Sequence, residues 1–140
     1  MAIDPVKVKA ADFINDGGTI KAINGTTSTV DSSSTSAATV IQYAIDNLPT
    51  TGGRIHMKSG TYTITSTITV NKAGIGIQGE GDGTLLQCNG SAVSPMFAMA
   101  DTTKRSFNNF ENFRMQSTSL GNGLAFNTSY FTRSVFQALE

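Results

Sequence analysis

The stretch "GGRIHMKSGTYTITSTITV", Gly52 to Val70, decides the fold. Apolar and polar residues alternate through it, which is the period of a strand with one buried face. Ile55 and Met57 fall on one side of "RIHM", and Arg54 and His56 on the other. In "TYTITSTITV" the inward set is Tyr62, Ile64, Ile68 and Val70. The same even spacing would carry Ser66 inward, so a bend is expected there. The many threonines suit a pleated surface through their β-branch. The strands are short, and Ser59-Gly60 breaks them.

Downstream the same style continues. "GIGIQGEG" places Ile75 and Ile77 inward. "TLLQC", "PMFAMA", "FNNFENFRMQS", "GLAFNTS" and "YFTRSVFQ" read as further strands, and helical periodicity does not return. Ile55 and Ile77 are about 22 residues apart, as are Phe113 and Val135, and such a recurrence is the mark of a repeat architecture. The longer interval from Ile77 to Phe113 predicts a loop inserted around Asn89 to Lys104. One coil of short strands cannot bury its apolar side alone, so coils must stack. A β-sandwich is the competing arrangement. Very short strands and Gly-punctuated turns favour the solenoid.

Upstream, "GGTIKAINGTTSTV" (Gly17 to Val30) reads as a β-hairpin turning at Asn24-Gly25, because both residues tolerate the positive φ of a type I′ turn. "DSSSTS" (Asp31 to Ser36) reads as a polar connector. "SAATVIQYAIDNLP" is a helix. Ser36 is its N-cap, Val40, Ile41, Ala44, Ile45 and Leu48 form one apolar face, and Pro49 ends it.

Composition limits the function. Net charge is zero and 14% of residues are charged, so there is no basic face for nucleic acid. Lys104-Arg105 reads as a solvated loop. No apolar run is long enough to span a membrane, and "MAIDPVKVKAADF" lacks the apolar core of a signal peptide. The single cysteine, Cys88, reads as a small apolar strand residue and has no partner for an internal disulfide. The Ser-, Thr- and Asn-rich, weakly charged surface suits an extracellular, cell-surface or virion protein. "NGT" at Asn24, "NGS" at Asn89 and "NTS" at Asn127 match glycosylation sequons, which chance explains in a chain so rich in Ser and Thr.

From about Ala37 to Leu86 the chain resembles the pectate-lyase-like superfamily of right-handed parallel β-helices. The resemblance rests on Ile41-Gln42 and Ala44-Ile45-Asp46 in the helix, Gly52-Gly53, Gly60-Thr61-Tyr62, and Gly79-Glu80-Gly81 with Thr84. It departs before the helix. Where the family often has G-D-G-x-x-D-D-T, this chain has "TVDSSSTSAA". The resemblance implies a mostly β fold: a single domain over 1–140, in which 1–50 form a cap of hairpin and helix and 51–140 the first coils. It implies that the helix closes the first coil, whose strand edges would otherwise be unpaired. Such proteins have many more coils, and Leu139-Glu140 reads as a cloning remnant. The expectation is therefore an N-terminal piece of a longer protein, able to form homo-oligomers through its open coil end.

The resemblance also implies a polysaccharide partner, as for a lyase, a hydrolase or a phage tailspike-like protein. Lyases of this fold use acidic residues to hold Ca²⁺ and a basic residue to abstract a proton. Hydrolases of the fold use carboxylates at set separations. Calcium needs six to eight oxygens, and Glu80, Asp82, Asp101 and Glu111 are scattered, so no metal site is assigned and no cofactor is expected. No catalytic residue is assigned either, and the parent protein is the expected lyase or hydrolase. The saccharide-contact candidates are Asp82, Glu111, Arg114 and Arg133. Asp82 and Glu111 are read as neighbours on adjacent coils, and the two arginines as a stack. His56 is expected outside, and Phe107, Phe110, Phe113, Phe126, Phe131 and Phe136 are read as core aromatics. The alternative is a structural or adhesive surface module with no catalysis.

Overall fold

The computed structural model describes residues 10–88, 97–99, 105–106, 108–117, 131–132 and 135–139. The described residues are mostly β, with one helix among them packed against a curled and largely parallel sheet.

The chain enters through an antiparallel meander: β1 (Ala10–Asp16), β2 (Thr19–Asn24) and β3 (Val30–Ser34). The tight turn is Gly17-Gly18, at φ 60° and 91°, between the paired residues Asp16 and Thr19. Two successive positive φ values are what a two-residue hairpin needs. Asn24-Gly25 does not make that turn, and Asp31 to Ser34 are strand rather than connector. The reason lies in the Asn24 side chain. Its Oδ1 accepts from the backbone N–H groups of Thr26 (2.8 Å) and Thr27 (3.2 Å), while its Nδ2 donates to Asp31 Oδ2 at 2.8 Å. Asn24 thus organises a wider loop that closes through its N–H to Thr29 O, with Ser28 taking the positive φ of 59°.

Helix α1 (Ala37–Asn47) starts as read. The Ser36 hydroxyl accepts from Thr39 N at 3.4 Å. Val40, Ile41, Ala44 and Ile45 are fully buried, and Leu48 nearly so. Each large aliphatic contributes about 1.5–3 kcal/mol on burial. Leu48, preceding Pro49, is extended at φ −60°, ψ 152°, as the proline ring demands. The helix has no basic residue in its last turn. Lys72 reaches back instead, donating to the carbonyls of Ile45 (2.8 Å), Asp46 (2.5 Å) and Leu48 (2.7 Å). A cation there complements the negative end of the helix dipole.

Three strands follow: β4 (Gly53–Met57), β5 (Gly60–Ile64) and β6 (Ile68–Val70). The chain bends at Ser66, which is exposed. A second set lies alongside in parallel. β7 (Ile75–Gln78) pairs with β4, β8 (Thr84–Cys88) with β5, and β9 (Phe97–Met99) with β6. Short β10 (Arg105–Ser106) leads into β11 (Asn109–Ser117). β11 serves two ladders: Asn109–Glu111 pair with β7 and Arg114–Ser117 with β8, and the strand turns between them at Asn112, φ 57°. β12 (Phe131–Thr132) pairs with β10, and β13 (Val135–Leu139) with β11.

Ile55 lies opposite Ile77 as the recurrence predicts. Beyond that point the offset differs: Ile77 meets Phe110 rather than Phe113, and Phe113 meets Leu139 rather than Val135. Connections of unequal length are absorbed at the corners, so a fixed period drifts while alternation within each strand persists.

The core is what alternation predicts. Ile55, Met57, Tyr62, Ile64, Ile68, Val70, Ile75, Ile77, Leu86, Cys88, Phe97, Phe110 and Phe113 are buried. Phe97 and Phe110 tilt against each other with centroids 5.4 Å apart. Phe107 and Phe126 lie outside the described residues. The Tyr62 hydroxyl donates to Lys58 O at 2.7 Å, and burial pushes its pKa upward.

The first edge of this assembly is closed in two ways. Strand β1 pairs in parallel with β4, from Ala10 opposite Arg54 to Phe13 opposite Met57. Helix α1 packs on β5 and β6. Gln42 makes the join. Its Oε1 accepts from Thr69 N (2.7 Å) and Thr69 Oγ1 (3.0 Å), and its Nε2 donates to Thr69 O at 3.0 Å. A side-chain amide thus occupies the place of a neighbouring strand.

Glycines make one corner. Gly52 and Gly74, at φ 92° and 72°, touch backbone to backbone, and Gly53 N donates to Gly74 O at 3.1 Å. A Cβ on Gly52 would stand 2.2 Å from Gly74 O, whereas one on Gly81 (φ 93°) would meet nothing within 4 Å. Gly52→Ala is therefore expected to lose about 2 kcal/mol or more, from φ strain plus collision, and Gly81→Ala about 1 kcal/mol from φ alone. Paired urea melts check this, and equal losses would refute the collision.

Candidate functional site

Residues between the inward positions build the outer face of β4, β7 and β11. Register sorts them into two rows. Arg54, Gly76 and Asn109 share one, and His56, Gln78 and Glu111 the other. Arg54 Nη1 donates to Gln78 Oε1 at 3.4 Å, linking the rows diagonally. Gly76 has no side chain, so the Arg54 stem leans over a bare backbone. An open cleft of about 340 Å³ forms there, lined by Gly53, Arg54, Gly74, Ile75, Gly76 and Asn109. Asn109 Oδ1 is buried and accepts no hydrogen bond among the described residues. The arginine fork can hydrogen-bond hydroxyls or a carboxylate over this flat floor, and the Gln78 amide can hydrogen-bond hydroxyls.

At the corner past these rows sits Glu80. Its Oε2 accepts from Ser59 N (2.7 Å) and Ser59 Oγ (3.0 Å). Its Oε1 lies 3.6 Å from Lys58 Nζ and 3.9 Å from His56 Nε2. The sequence suggests no more for Glu80 than a solvated corner. In the structure it ties the β7–β8 corner to the β4–β5 corner.

The four contact candidates do not form one cluster. Glu111 is half-buried on β11 beside Gln78. Asp82 is exposed beyond the Gly79–Gly81 corner, where Gly79 N and Gly81 N donate to Glu111 O and Asn112 O, so the two carboxylates do not share a row. Arg114 is exposed opposite Leu85, on the far side of the Asn112 turn from Glu111. Arg133 lies outside the described residues, as do Asn89 and Asn127. Among the described residues, no three His, Cys, Asp or Glu side chains converge as a metal site would require. Cys88 points into the core from β8 and His56 stands outside β4, so they form no thiol–imidazole pair.

Sequence reasoning missed Arg54, Gln78, Asn109 and Gly76 as a group. The available signal was the outward parity of Arg54 in β4 and of Gly76 and Gln78 in β7. Which residues become neighbours depends on register, which parity alone does not supply. Asn108 was also missed. It is buried, its Oδ1 accepts from Ile75 N at 2.9 Å, and its amide nitrogen has no partner among the described residues.

No family model matches the chain, and no curated protein matches it significantly. Among solved structures it is similar to ORF18 of Geobacillus virus E2. Identity is 29% over 55% of this chain and 17% of that one, with a TM-score of 0.47.

The Glu80 carboxyl is held below the ordinary glutamate range, first by the Ser59 backbone N–H, then by the Ser59 hydroxyl, with Lys58 and His56 adding to it. A lowered folded-state value means that its contribution is complete above the unfolded-state pKa and is lost as pH falls through the folded one. Thermal melts from about pH 6 down to about pH 3 are expected to show a steeper acid loss for the native chain than for Glu80→Gln. Parallel curves would remove Glu80 as the corner tie.

Proposed function

We propose that this chain is the N-terminal cap and first coils of a right-handed parallel β-helix protein associated with polysaccharides, and that this part seals and nucleates the solenoid without catalysing a reaction. The observation that carries the capping role is the Gln42 amide on Thr69, which satisfies a strand that would otherwise present an unpaired edge. Lys72 supports it by fastening the far end of the same helix. The parallel ladders from β4 through β7 to β11 and β13 support the solenoid reading.

Polysaccharide association is supported by the resemblance and by the outer rows, where Arg54, Gln78, Asn109 and Glu111 offer donors and acceptors beside an open floor. A surface poor in charge and rich in hydroxyls agrees with an extracellular, cell-surface or virion location. A structural module without ligand is favoured by one observation: Asp82, Glu111 and Arg114 are spread over different faces.

Two experiments test these readings. Gln42→Ala is expected to cost about 2 kcal/mol, since it strands a donor and an acceptor of Thr69, and to raise self-association on a sizing column with light scattering. An equally stable, equally monodisperse variant would overturn the capping role. For the ligand, native electrophoresis through gels containing a neutral glucan or a polyuronate is expected to show retardation that Arg54→Ala with Glu111→Gln abolishes. Unchanged mobility in every gel would return the purely structural reading.

A further inference from the structure

A second concave site lies away from the outer rows, between α1 and the bend at Thr65–Thr67. It holds about 390 Å³ and is lined by Thr39, Gln42, Tyr43, Asp46, Ser66 and Thr67. We propose that this cleft binds one neutral sugar ring, stacked on Tyr43 and hydrogen-bonded to Asp46.

Three observations carry this. Tyr43 is 36% exposed on a helix whose other large apolar side chains face inward. A tyrosine ring left beside a cleft offers a rigid apolar plane with a polar tip, which suits the C–H face and hydroxyl rim of a pyranose. Asp46 is held in place before any ligand arrives: Gln42 Nε2 (3.1 Å) and Asn71 Nδ2 (2.6 Å) both donate to its Oδ1. Its Oδ2 accepts no hydrogen bond among the described residues, so one fixed oxygen remains for a pair of sugar hydroxyls. The hydroxyl-bearing Thr39, Ser66 and Thr67 complete the rim, giving a small set of convergent polar groups around an apolar plane.

The class of ligand follows from charge. The ionisable groups on the lining are one carboxylate and one phenol, with no lysine or arginine among them. Lys72, the nearby cation, donates to the carbonyls of Ile45, Asp46 and Leu48 at the helix end, and a uronate carboxylate set against Asp46 would be repelled, so the sugar is neutral. The site also differs from the outer rows in how it is held. Its aspartate is fixed by the amides that fasten the helix to β6, so binding would brace the cap.

This proposal is independent of saccharide contact on the outer rows, and the test separates them. The probes are maltotriose, mannotriose, a galactose trisaccharide and trigalacturonate, each titrated into ¹⁵N-labelled protein. At least one neutral probe is expected to shift the amide signals of Tyr43 and of Thr65–Thr67, and trigalacturonate is expected not to. Tyr43→Ala should weaken that binding roughly tenfold while Tyr43→Phe retains it. Tyr43 is partly solvent-facing, and an otherwise unchanged spectrum verifies that the alanine variant folds. Asp46→Asn, which can still accept from Asn71, should weaken the neutral probe and leave any Arg54-dependent binding intact. No shift at the cleft with any neutral probe, or shifts that Tyr43→Ala leaves unaltered, would overturn the proposal. Shifts confined to β4 and β7 would overturn it while sparing the outer-row reading.

Discussion

A strand edge needs donors and acceptors at strand spacing, and an α-helix has none to lend. Its own N–H and C=O groups are consumed internally, and those left over lie at its ends. A helix laid across a sheet edge therefore buries apolar surface but leaves the edge unpaired unless a side chain intervenes. Gln42 is suited to this because its amide is chemically a peptide group, with one oxygen to accept and one nitrogen to donate. By taking both backbone groups of Thr69 it makes α1 part of the hydrogen-bonded structure. Asp46 then steadies the amide, Asn71 steadies Asp46, and Lys72 fastens the last turn. The join between helix and sheet is a chain of dependencies starting from one side chain.

The parallel ladders obey a different constraint. Successive strands must stay in register while the connections between them vary in length. Backbone-to-backbone contact at the corners meets it. Gly52 sits on Gly74, and Gly79 fits under Asn112 and Phe113 with no room for a methyl group. Such contacts fix the spacing of one parallel strand against the next without depending on what the loops contain. Glu80 adds a polar tie at a third point, and Tyr62 a buried one through Lys58 O. Side chains set what the core excludes, while corners set how the parallel strands line up.

This division explains how much could be read from the chain. Inward residues follow from parity, so Ile55 to Ile77 were legible one by one. The helix followed from its period, with Ser36 and Pro49 as its ends. The turn at Asn24-Gly25 was misplaced because a local dipeptide signal is blind to Asp31, which captures the asparagine amide, and because Gly17-Gly18 satisfies the same geometry with less strain. Lys72, Gln42 and Glu80 act over twenty or more positions, and no local pattern marks them. The site suffered most. Asp82 and Glu111 were paired on an assumed register, and the real one gives Glu111 to Gln78.

Asn24 carries one more consequence. It opens the triplet Asn-Gly-Thr, yet it is 1% exposed and both ends of its amide are engaged within its own loop. An oligosaccharyltransferase could modify it only on a chain that has not yet closed the β2–β3 loop. A glycan added then would crowd the buried nitrogen that faces Asp31 and wedge the meander apart. Production through a eukaryotic secretory route would thus set enzymatic tagging against hairpin closure, and the occupancy of that triplet would time how soon the entry strands form on the emerging polypeptide.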